Sequence, residues 1–204
     1  RTVQAAGREA GYFVSSVNRR LTTCADGTGA DECYVAELVL PEGITWEDGD
    51  LVHGEITPRS YPELDITLGL LTADAVLQPA VDPTESSGRY LLAYDTGIRC
   101  VTTPCPSLGV IVLNGSGRER NAEISFDAAD EEARASLQDA YLEELSEPSA
   151  LGSGVVVFGR LRFAIDPGSR SLVRSLTATN VYLTKRSASP ACLVLTEDTR
   201  ITVW

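Results

Sequence analysis

Short apolar runs alternate with polar residues along most of the chain, and Gly- and Pro-containing segments separate them. In GVVVFGRLRFAI, Leu161 and Phe163 alternate with Arg160 and Arg162, which is typical of a strand with one buried and one solvated face. The same periodicity predicts strands over residues 11–19, 33–40, 51–58, 67–78, 89–95, 108–114, 155–165 and 172–184. We therefore expect a mainly β fold, built from antiparallel strands with a minor helical part.

One segment has helical rather than strand periodicity. Its apolar residues fall four positions apart on one helical face: Ala133, Leu137, Tyr141 and Leu145. Ser125 or Asp127 is placed to cap the helix start, and Pro148 prevents continuation beyond the segment. This pattern predicts a helix over about 128–146, and a second, shorter helix is expected near 45–50.

The chain resembles itself at an offset of 105 residues. Residues 51–78 align with 156–183 without a gap, and the segments that precede Cys24 and Cys100, residues 11–24 and 88–100, follow in the same order. The comparison predicts a first β repeat over 1–80, a second over 81–185 that contains the helix, and a strand-like tail over 186–204. The alternative is that amphipathic strands resemble one another without common origin.

Charge narrows the classes of partner. The 204-residue chain has a formal net charge of −12, which repels nucleic-acid phosphates and anionic lipid headgroups. No apolar run reaches the ~20 residues that a membrane-spanning helix requires. We expect no nucleic-acid partner, no membrane span and no cofactor, and the ligand is left as an unknown protein or small molecule.

Five cysteines occur as two close pairs, Cys24 with Cys33 and Cys100 with Cys105, and a remaining Cys192. Zinc usually takes four thiolate or imidazole ligands at short spacings, whereas these thiols are scattered. A catalytic cysteine needs a basic partner, and His53 is the only histidine that could serve as one. The pattern favours local disulfides in an oxidising compartment. There is no methionine, even at position 1, so we expect that a leader has been removed and that the protein is secreted, periplasmic or surface-anchored.

The two cysteine segments predict two braced loops. In the second, prolines on both sides of Cys105 stiffen the loop. The candidate binding residues of this loop are Arg99, Val101, Thr102, Thr103 and Pro104.

The first loop, between Cys24 and Cys33, contains Asp26, Asp31 and Glu32. These carboxylates are calcium candidates, although the EF-hand order is absent. The alternative is a solvated hairpin loop closed by the disulfide.

Other residues that carry chemistry have plain structural interpretations. His53 stands opposite Phe158 in the internal comparison, which favours a packing position over a ligand or a base. Core or rim positions are expected for the aromatic residues Tyr34, Trp46, Tyr90 and Tyr94.

The segments VNRRLTTCADGTGADECYVAELVL and DTGIRCVTTPCPSLGVIVLN resemble a family of bacterial domains of unknown function. The shared features are a V-N-R segment, a C-A-D-G…C-Y-V-A-E hairpin and an I-R-C-x-T-x-P-C-P loop, and the resemblance spans about residues 11–184. Members of this family occur in predicted secreted proteins and lipoproteins, so the resemblance implies an envelope or extracellular location. It carries over no catalytic residues.

Three functions follow from these observations. The first is a secreted or surface-anchored binding or structural module without catalytic activity, whose scaffold presents loops. The second is a protease inhibitor that presents the braced loop 99–106. The third is a hydrolase that uses carboxylates such as Asp26, Glu32 or Glu55.

Overall fold

The computed structural model describes residues 2–8, 11–83, 87–101, 107–115, 120–146, 154–165 and 172–187. A single turn of 3-10 helix covers Pro62–Leu64. The helix and strands of these residues, in chain order, are β1 (Thr2–Arg8), β2 (Gly11–Ser16), β3 (Thr22–Thr23), β4 (Gly29–Ala30), β5 (Cys33–Val39), β6 (Leu51–Tyr61), β7 (Ile66–Pro79), β8 (Arg89–Asp95), β9 (Leu108–Val112), β10 (Arg120–Asn121), β11 (Glu123–Ser125), α1 (Glu131–Ser146), β12 (Val155–Ile165) and β13 (Leu172–Thr184). The mainly β prediction is confirmed, and each predicted strand has a counterpart.

The helix α1 begins three residues later than predicted. Its first turn is capped by Asp130, whose carboxylate accepts a bond from the Ala133 N–H at 2.8 Å. Ser125 and Asp127, the predicted caps, instead bond to each other at 2.6 Å. Among the described residues no helix is both long enough and apolar enough to cross a membrane.

The short helix expected near 45–50 is wrong. The backbone there makes a turn, in which the Asp50 N–H donates to the Glu47 carbonyl at 3.1 Å. The Asp50 carboxylate accepts the Glu47 N–H at 2.8 Å and so closes the same turn from the other side.

The first half of the chain forms a closed five-stranded sheet. β1 pairs with both β2 and β6, β2 pairs with β5, and β7 closes the sheet by pairing with β5 and β6. Only the β5–β7 pair is parallel among these five. Alternate residues of the strands fill its core: Val3, Val14, Cys33, Val35, Val52, Leu71 and Ala73. β1 was not predicted, although the sheet closes only through it.

The second half repeats these pairings. β8 pairs with β9 and β12, β9 pairs with β10, and β13 pairs with β12 and, in parallel, with β11. β10 and β11 are separated only by Ala122, whose N–H donates to the Leu108 carbonyl at 3.1 Å. The helix α1 covers this core with Leu137, Ala140 and Tyr141, which are buried.

The register of the two halves corresponds residue by residue at the long hairpins. Each hairpin has a β-bulge at the same place, after His53 in β6 and after Phe158 in β12. The next residue is glycine in both, and an added Cβ at Gly54 or Gly159 would lie 2.1 or 2.3 Å from the carbonyl oxygen of the facing strand. Both hairpins therefore require glycine at this position.

The strand pairing matches the earlier strands of the two halves differently from the sequence comparison. β8 occupies the position of β1, because each pairs with the first strand of the long hairpin, and β9 occupies the position of β2. The cysteine segments consequently lie in different connections, with Cys24 and Cys33 after β2 and Cys100 after β8. The duplication itself stays a prediction.

The two closed sheets are joined through the ends of β7 and β13. These ends pair antiparallel over Leu77–Pro79 and Tyr182–Thr184. Two hydrogen bonds that correspond at the 105-residue offset flank the pairs, from Ala80 N to Val181 O at 2.7 Å and from Lys185 N to Val76 O at 2.8 Å. An apolar cluster lies at this junction: Val17, Leu51, Leu77, Val156 and Tyr182.

Ion pairs fix the chain after β13. Lys185, the only lysine, bonds to the buried Asp50 carboxylate at 2.6 Å and so ties the second half to a turn of the first. The buried Glu144 of α1 accepts bonds from the Thr184 N–H at 3.2 Å and from Arg186 at 3.1 Å. Buried carboxylates with such partners hold the junction and the helix in one register.

Two asparagines exchange hydrogen bonds between the halves. Asn18 donates to the carbonyls of Tyr90 at 2.7 Å and Leu113 at 2.9 Å, and it accepts from the Tyr90 N–H at 2.9 Å. Asn18 lies in the first half and both of its partners lie in the second, so these three bonds connect the two halves.

Asn114 makes the reciprocal set. It donates to the carbonyls of Thr2 at 2.6 Å and Val17 at 3.2 Å, and it accepts from the Thr2 N–H at 3.3 Å. Asn18 and Asn114 both have left-handed backbone conformations, with φ of 60° and 55°. Asparagine tolerates this region and also supplies the amide group, whereas glycine would supply only the backbone freedom.

We expect Asn18→Gly and Asn114→Gly each to lower the free energy of unfolding by about 1 kcal/mol or more, because glycine keeps the backbone conformation and removes only the inter-half bonds. Urea denaturation of both variants measures this loss. Asp65→Gly, at another left-handed residue that makes no bond between the halves, is the control for the effect of glycine itself. Unchanged midpoints for both asparagine variants would contradict the role given to the exchange.

Candidate functional site

The connection that leaves β8 is closed at its base by hydrogen bonds. Ser107 provides one carbonyl that accepts from both the Thr96 N–H at 2.9 Å and the Thr96 hydroxyl at 3.0 Å. The Thr96 hydroxyl oxygen in turn accepts the Ile98 N–H at 3.3 Å. Gly97 has a φ of 75°, the left-handed conformation that glycine adopts without strain. The two ends of this connection are thereby held together.

Arg99 braces the same loop instead of pointing freely to a partner. Its guanidinium makes two parallel bonds to the Asp95 carboxylate, at 2.8 and 2.6 Å. Asp95 also accepts the Gly97 N–H at 2.8 Å. The Arg99 bond first, and the Gly97 bond second, lower the pKa of Asp95 from 3.8 to about 2. Arg99, a predicted binding residue, thus also helps to hold the base of the loop.

Two apolar side chains stand out from this braced base. Val101 is fully exposed and Ile98 is 44% exposed. Cys100, between Arg99 and Val101, is disulfide-bonded. The other residues predicted for this loop, Thr102, Thr103, Pro104 and Cys105, lie outside the described residues, as does Cys192.

An open groove of about 560 Å³ runs beside the loop base. Asp95 and Arg99 form its polar rim, and its apolar wall is made by Leu108, Ile124, Tyr141 and Leu145. Burial, and secondarily the charge of Asp95, raise the pKa of Tyr141 to about 12, so its hydroxyl is neutral at physiological pH. The loop and the groove together offer apolar surface framed by charge.

The predicted Cys24–Cys33 disulfide is confirmed, with a Cα–Cα distance of 5.3 Å. Cys33 is buried in the first core, while Cys24 lies at its edge, so the bond pins the intervening loop onto the closed sheet. Inside the loop Asp26 accepts the N–H and the hydroxyl of Thr28, at 2.9 and 2.7 Å. The carboxylate thus closes its own turn.

The calcium candidates do not form a metal site in the part of the chain that the structure describes. No three His, Cys, Asp or Glu side chains are placed there as ligands of one ion, and this includes Asp26, Asp31 and Glu32. The bonds from Thr28, the side-chain bond first, lower the pKa of Asp26. A general acid needs a raised pKa, so Asp26 does not suit the proton donor of a hydrolase.

His53 lies in a cleft instead of in a packed position. Its Nδ1 lies 2.5 Å from the Asp74 carboxylate, and the side chain is 28% exposed. The cleft has a volume of about 620 Å³, and its other lining residues include Thr23, Cys24, Glu55, Ile56 and Thr72. Glu55, a predicted hydrolase carboxylate, is in this cleft, whereas Asp26 and Glu32 are not among its lining residues.

Sequence comparison missed Asp74, because its role depends on the β-bulge. His53 pairs with Ala75 and Gly54 pairs with Ala73, so Asp74 is the extra residue of the bulge. In the sequence, the available signal was the acidic Asp74 within the segment LTADAV, at the position where the second half has Thr179.

The aromatic residues expected at core or rim positions pack within the fold. Trp46 makes an edge contact with Tyr12, with ring centroids 5.9 Å apart, and Tyr34 makes one with Phe13 at 5.5 Å. Tyr90 packs against rings of both long hairpin strands of the second half. The ring of Tyr94 lies against Gly109, where it occupies the space that a Cβ would need.

We expect Asp95→Asn to loosen the loop base without a large effect on global stability, because exposed ion pairs contribute little to folding. Amide exchange at Gly97 and Ile98 should become faster in the variant than in the wild type. Since folding depresses this pKa, the contribution of Asp95 is complete above its ordinary value of 3.8 and is lost as the pH falls towards about 2.

NMR-detected exchange and a carboxyl titration measure both effects. Asp65→Asn, an exposed aspartate on another turn, is the control. Equal exchange rates in Asp95→Asn and wild type would show that the ion pair does not hold the loop.

A sequence model of the family described as Domain of unknown function (DUF6748) matches residues 5–188. No curated protein and no solved structure gives a significant match. The match begins within β1 and includes all later strands, the helix and the two cysteine segments.

Proposed function

Because the chain belongs to the DUF6748 family, whose description assigns no activity, we propose that it is a non-catalytic binding module that presents the loop after β8 to a protein partner. The observation that carries this proposal is Val101, an apolar side chain that is fully exposed on a loop with a fixed base. Single exposed apolar residues are common, but here the exposure coincides with a brace that keeps the residue in place.

The hydrogen-bonded base of the loop matters because binding to a partner orders the residues at the interface. Fixing one backbone residue costs about 1 kcal/mol or more, and a loop that is already ordered avoids this cost when it docks. Thr96, Asp95 and Arg99 hold the described base of the loop in one arrangement before any partner arrives. Full burial of a valine or isoleucine side chain against a partner contributes roughly 2 kcal/mol.

The groove beside the loop extends this surface. Leu108, Ile124 and Leu145 supply apolar contacts, while Asp95 and Arg99 at the rim supply charge. An apolar centre with a charged rim is the usual anatomy of a protein–protein interface. We therefore place the partner's apolar side chains in the groove and the loop on the partner's surface.

The disulfides favour an oxidising location. Cys24 and Cys33 are bonded, and Cys100 is also disulfide-bonded. Such bonds form and persist in secreted, periplasmic and cell-surface proteins. We propose that the module acts there, after export.

A photocrosslinking residue at position 101 should capture one partner in the native host, and the same residue at position 64 should not. Leu64 is the matched control, because it is also an exposed apolar side chain, at 67%, but lies on the β6–β7 hairpin. Val101→Asp should then weaken binding of the purified partner by about tenfold or more, as expected for the centre of an interface, while Leu64→Asp leaves binding unchanged. Equal capture at both positions would contradict the proposal.

The protease inhibitor is a second candidate, favoured by the fixed loop base formed by Thr96 and Ser107. An inhibitory loop gains affinity when it is held rigid before it enters an active site. If the loop acts in this way, micromolar protein should slow at least one protease of a panel of serine, cysteine and metalloproteases. Val101→Asp should relieve the inhibition and Leu64→Asp should not. A panel without inhibition would remove this candidate and leave the binding module.

A further inference from the structure

The cleft at His53 has a counterpart in the second half, because the two bulged hairpins correspond at an offset of 105 residues. Asp74 is the bulged residue of the first hairpin and Thr179 is that of the second. Bulges turn side chains out of the regular alternation of a strand, and they occur frequently beside functional sites. Each residue that lines the His53 cleft can therefore be compared with the residue at the corresponding position of the second hairpin.

The second bulge shows what this backbone requires without a ligand. Phe158 takes the place of His53 and packs on Tyr90, with ring centroids 4.8 Å apart. Thr179 takes the place of Asp74 and donates its hydroxyl to the Phe158 carbonyl at 3.4 Å. Since an aromatic ring and a hydroxyl satisfy this position, the imidazole and the carboxylate are not requirements of the fold.

The His53–Asp74 pair has a defined chemistry. Asp74 accepts from Nδ1 at 2.5 Å, so the neutral imidazole carries its proton on Nδ1 and presents the lone pair of Nε2. Among the described residues Nε2 has no hydrogen-bond partner. His53 is the only histidine in the chain, and the bulge places the carboxylate that orients it.

Hydrogen-bond acceptors without a described cationic partner lie around the imidazole of His53. Glu55 and the second oxygen of Asp74 meet no lysine or arginine in the described part of the chain, and both side chains reach solvent. Ile56 and the edge of the Cys24–Cys33 disulfide form an apolar wall of the cleft. The hydroxyl-bearing Thr23 and Thr72 complete the lining. The cleft thus offers three kinds of acceptor beside an apolar wall.

We propose that the His53–Asp74 cleft binds an ammonium or guanidinium group, the end of a lysine or arginine side chain on a partner peptide. The N–H donors of such a group bond to the second oxygen of Asp74 and to Glu55, and its aliphatic stem lies on Ile56. The cleft is lined by residues different from those of the groove beside β8. A test of this site is therefore independent of the binding role proposed for the loop after β8.

The test titrates the full chain with Nα-acetyl-lysine methylamide and Nα-acetyl-arginine methylamide, and with the uncharged glutamine analogue. The single histidine gives one unambiguous set of ring signals in NMR, and the Gly54 amide gives a second reporter. We expect saturable shifts at both reporters with a basic probe and none with the glutamine analogue. Asp74→Asn should weaken the affinity by about fivefold, the effect of one partly exposed charge.

Two control variants separate a binding role from a structural one. Glu63→Gln removes the same charge from the tip of the same hairpin, outside the cleft, and should leave the affinity unchanged. His53→Phe/Asp74→Thr installs the residues of the second half and should keep the melting temperature while the Gly54 response to the probes disappears. A large fall in melting temperature, absence of saturable shifts with both basic probes, or equal affinities in wild type and Asp74→Asn would each overturn the proposal.

Discussion

The antiparallel pairing of Leu77–Pro79 with Tyr182–Thr184 is the contact on which the remaining structure depends. Each of these strands first completes its own closed sheet and then extends beyond it to pair with the other. Because the paired ends correspond at the 105-residue offset, the cluster around Leu77 and Tyr182 and the exchange between Asn18 and Asn114 are arranged reciprocally. Neither closed sheet satisfies these strand ends alone, so the two halves stabilise each other.

Both cysteine segments leave this scaffold where a strand has just ended, but they are fixed differently. Cys33 is buried in the first core, and its disulfide to Cys24 fixes the loop between them to the sheet. The loop after β8 is fixed by polar contacts at its base, through Thr96, Ser107 and the Asp95–Arg99 pair, while Val101 is left in solvent. The first loop is thus fixed by burial and a disulfide, and the described part of the second by exposed polar contacts.

Period-two alternation predicted the strands because one face of each is buried, and that signal is local. β1 was not predicted, because small residues follow Val3 and leave no clear alternation. Its strand conformation comes from pairing on both sides with β2 and β6. The predicted helix was displaced at its start, since Ser125 and Asp127 satisfy each other and leave Asp130 as the cap. The His53–Asp74 pair could not be predicted, because a one-residue bulge between strands distant in sequence leaves no periodic trace.

Agreement and difference between the two halves separate the demands of the fold from those of function. Gly54 and Gly159 agree because the facing carbonyl excludes any side chain, and Asn18 and Asn114 agree because both must adopt a left-handed conformation and bridge the halves. Positions that carry chemistry differ: the braced loop after β8 has no counterpart after β1, and His53 stands where the second half has Phe158. Where the two halves share a backbone arrangement but differ in side chain, the fold does not dictate the residue, and ligand contacts are to be sought at such positions.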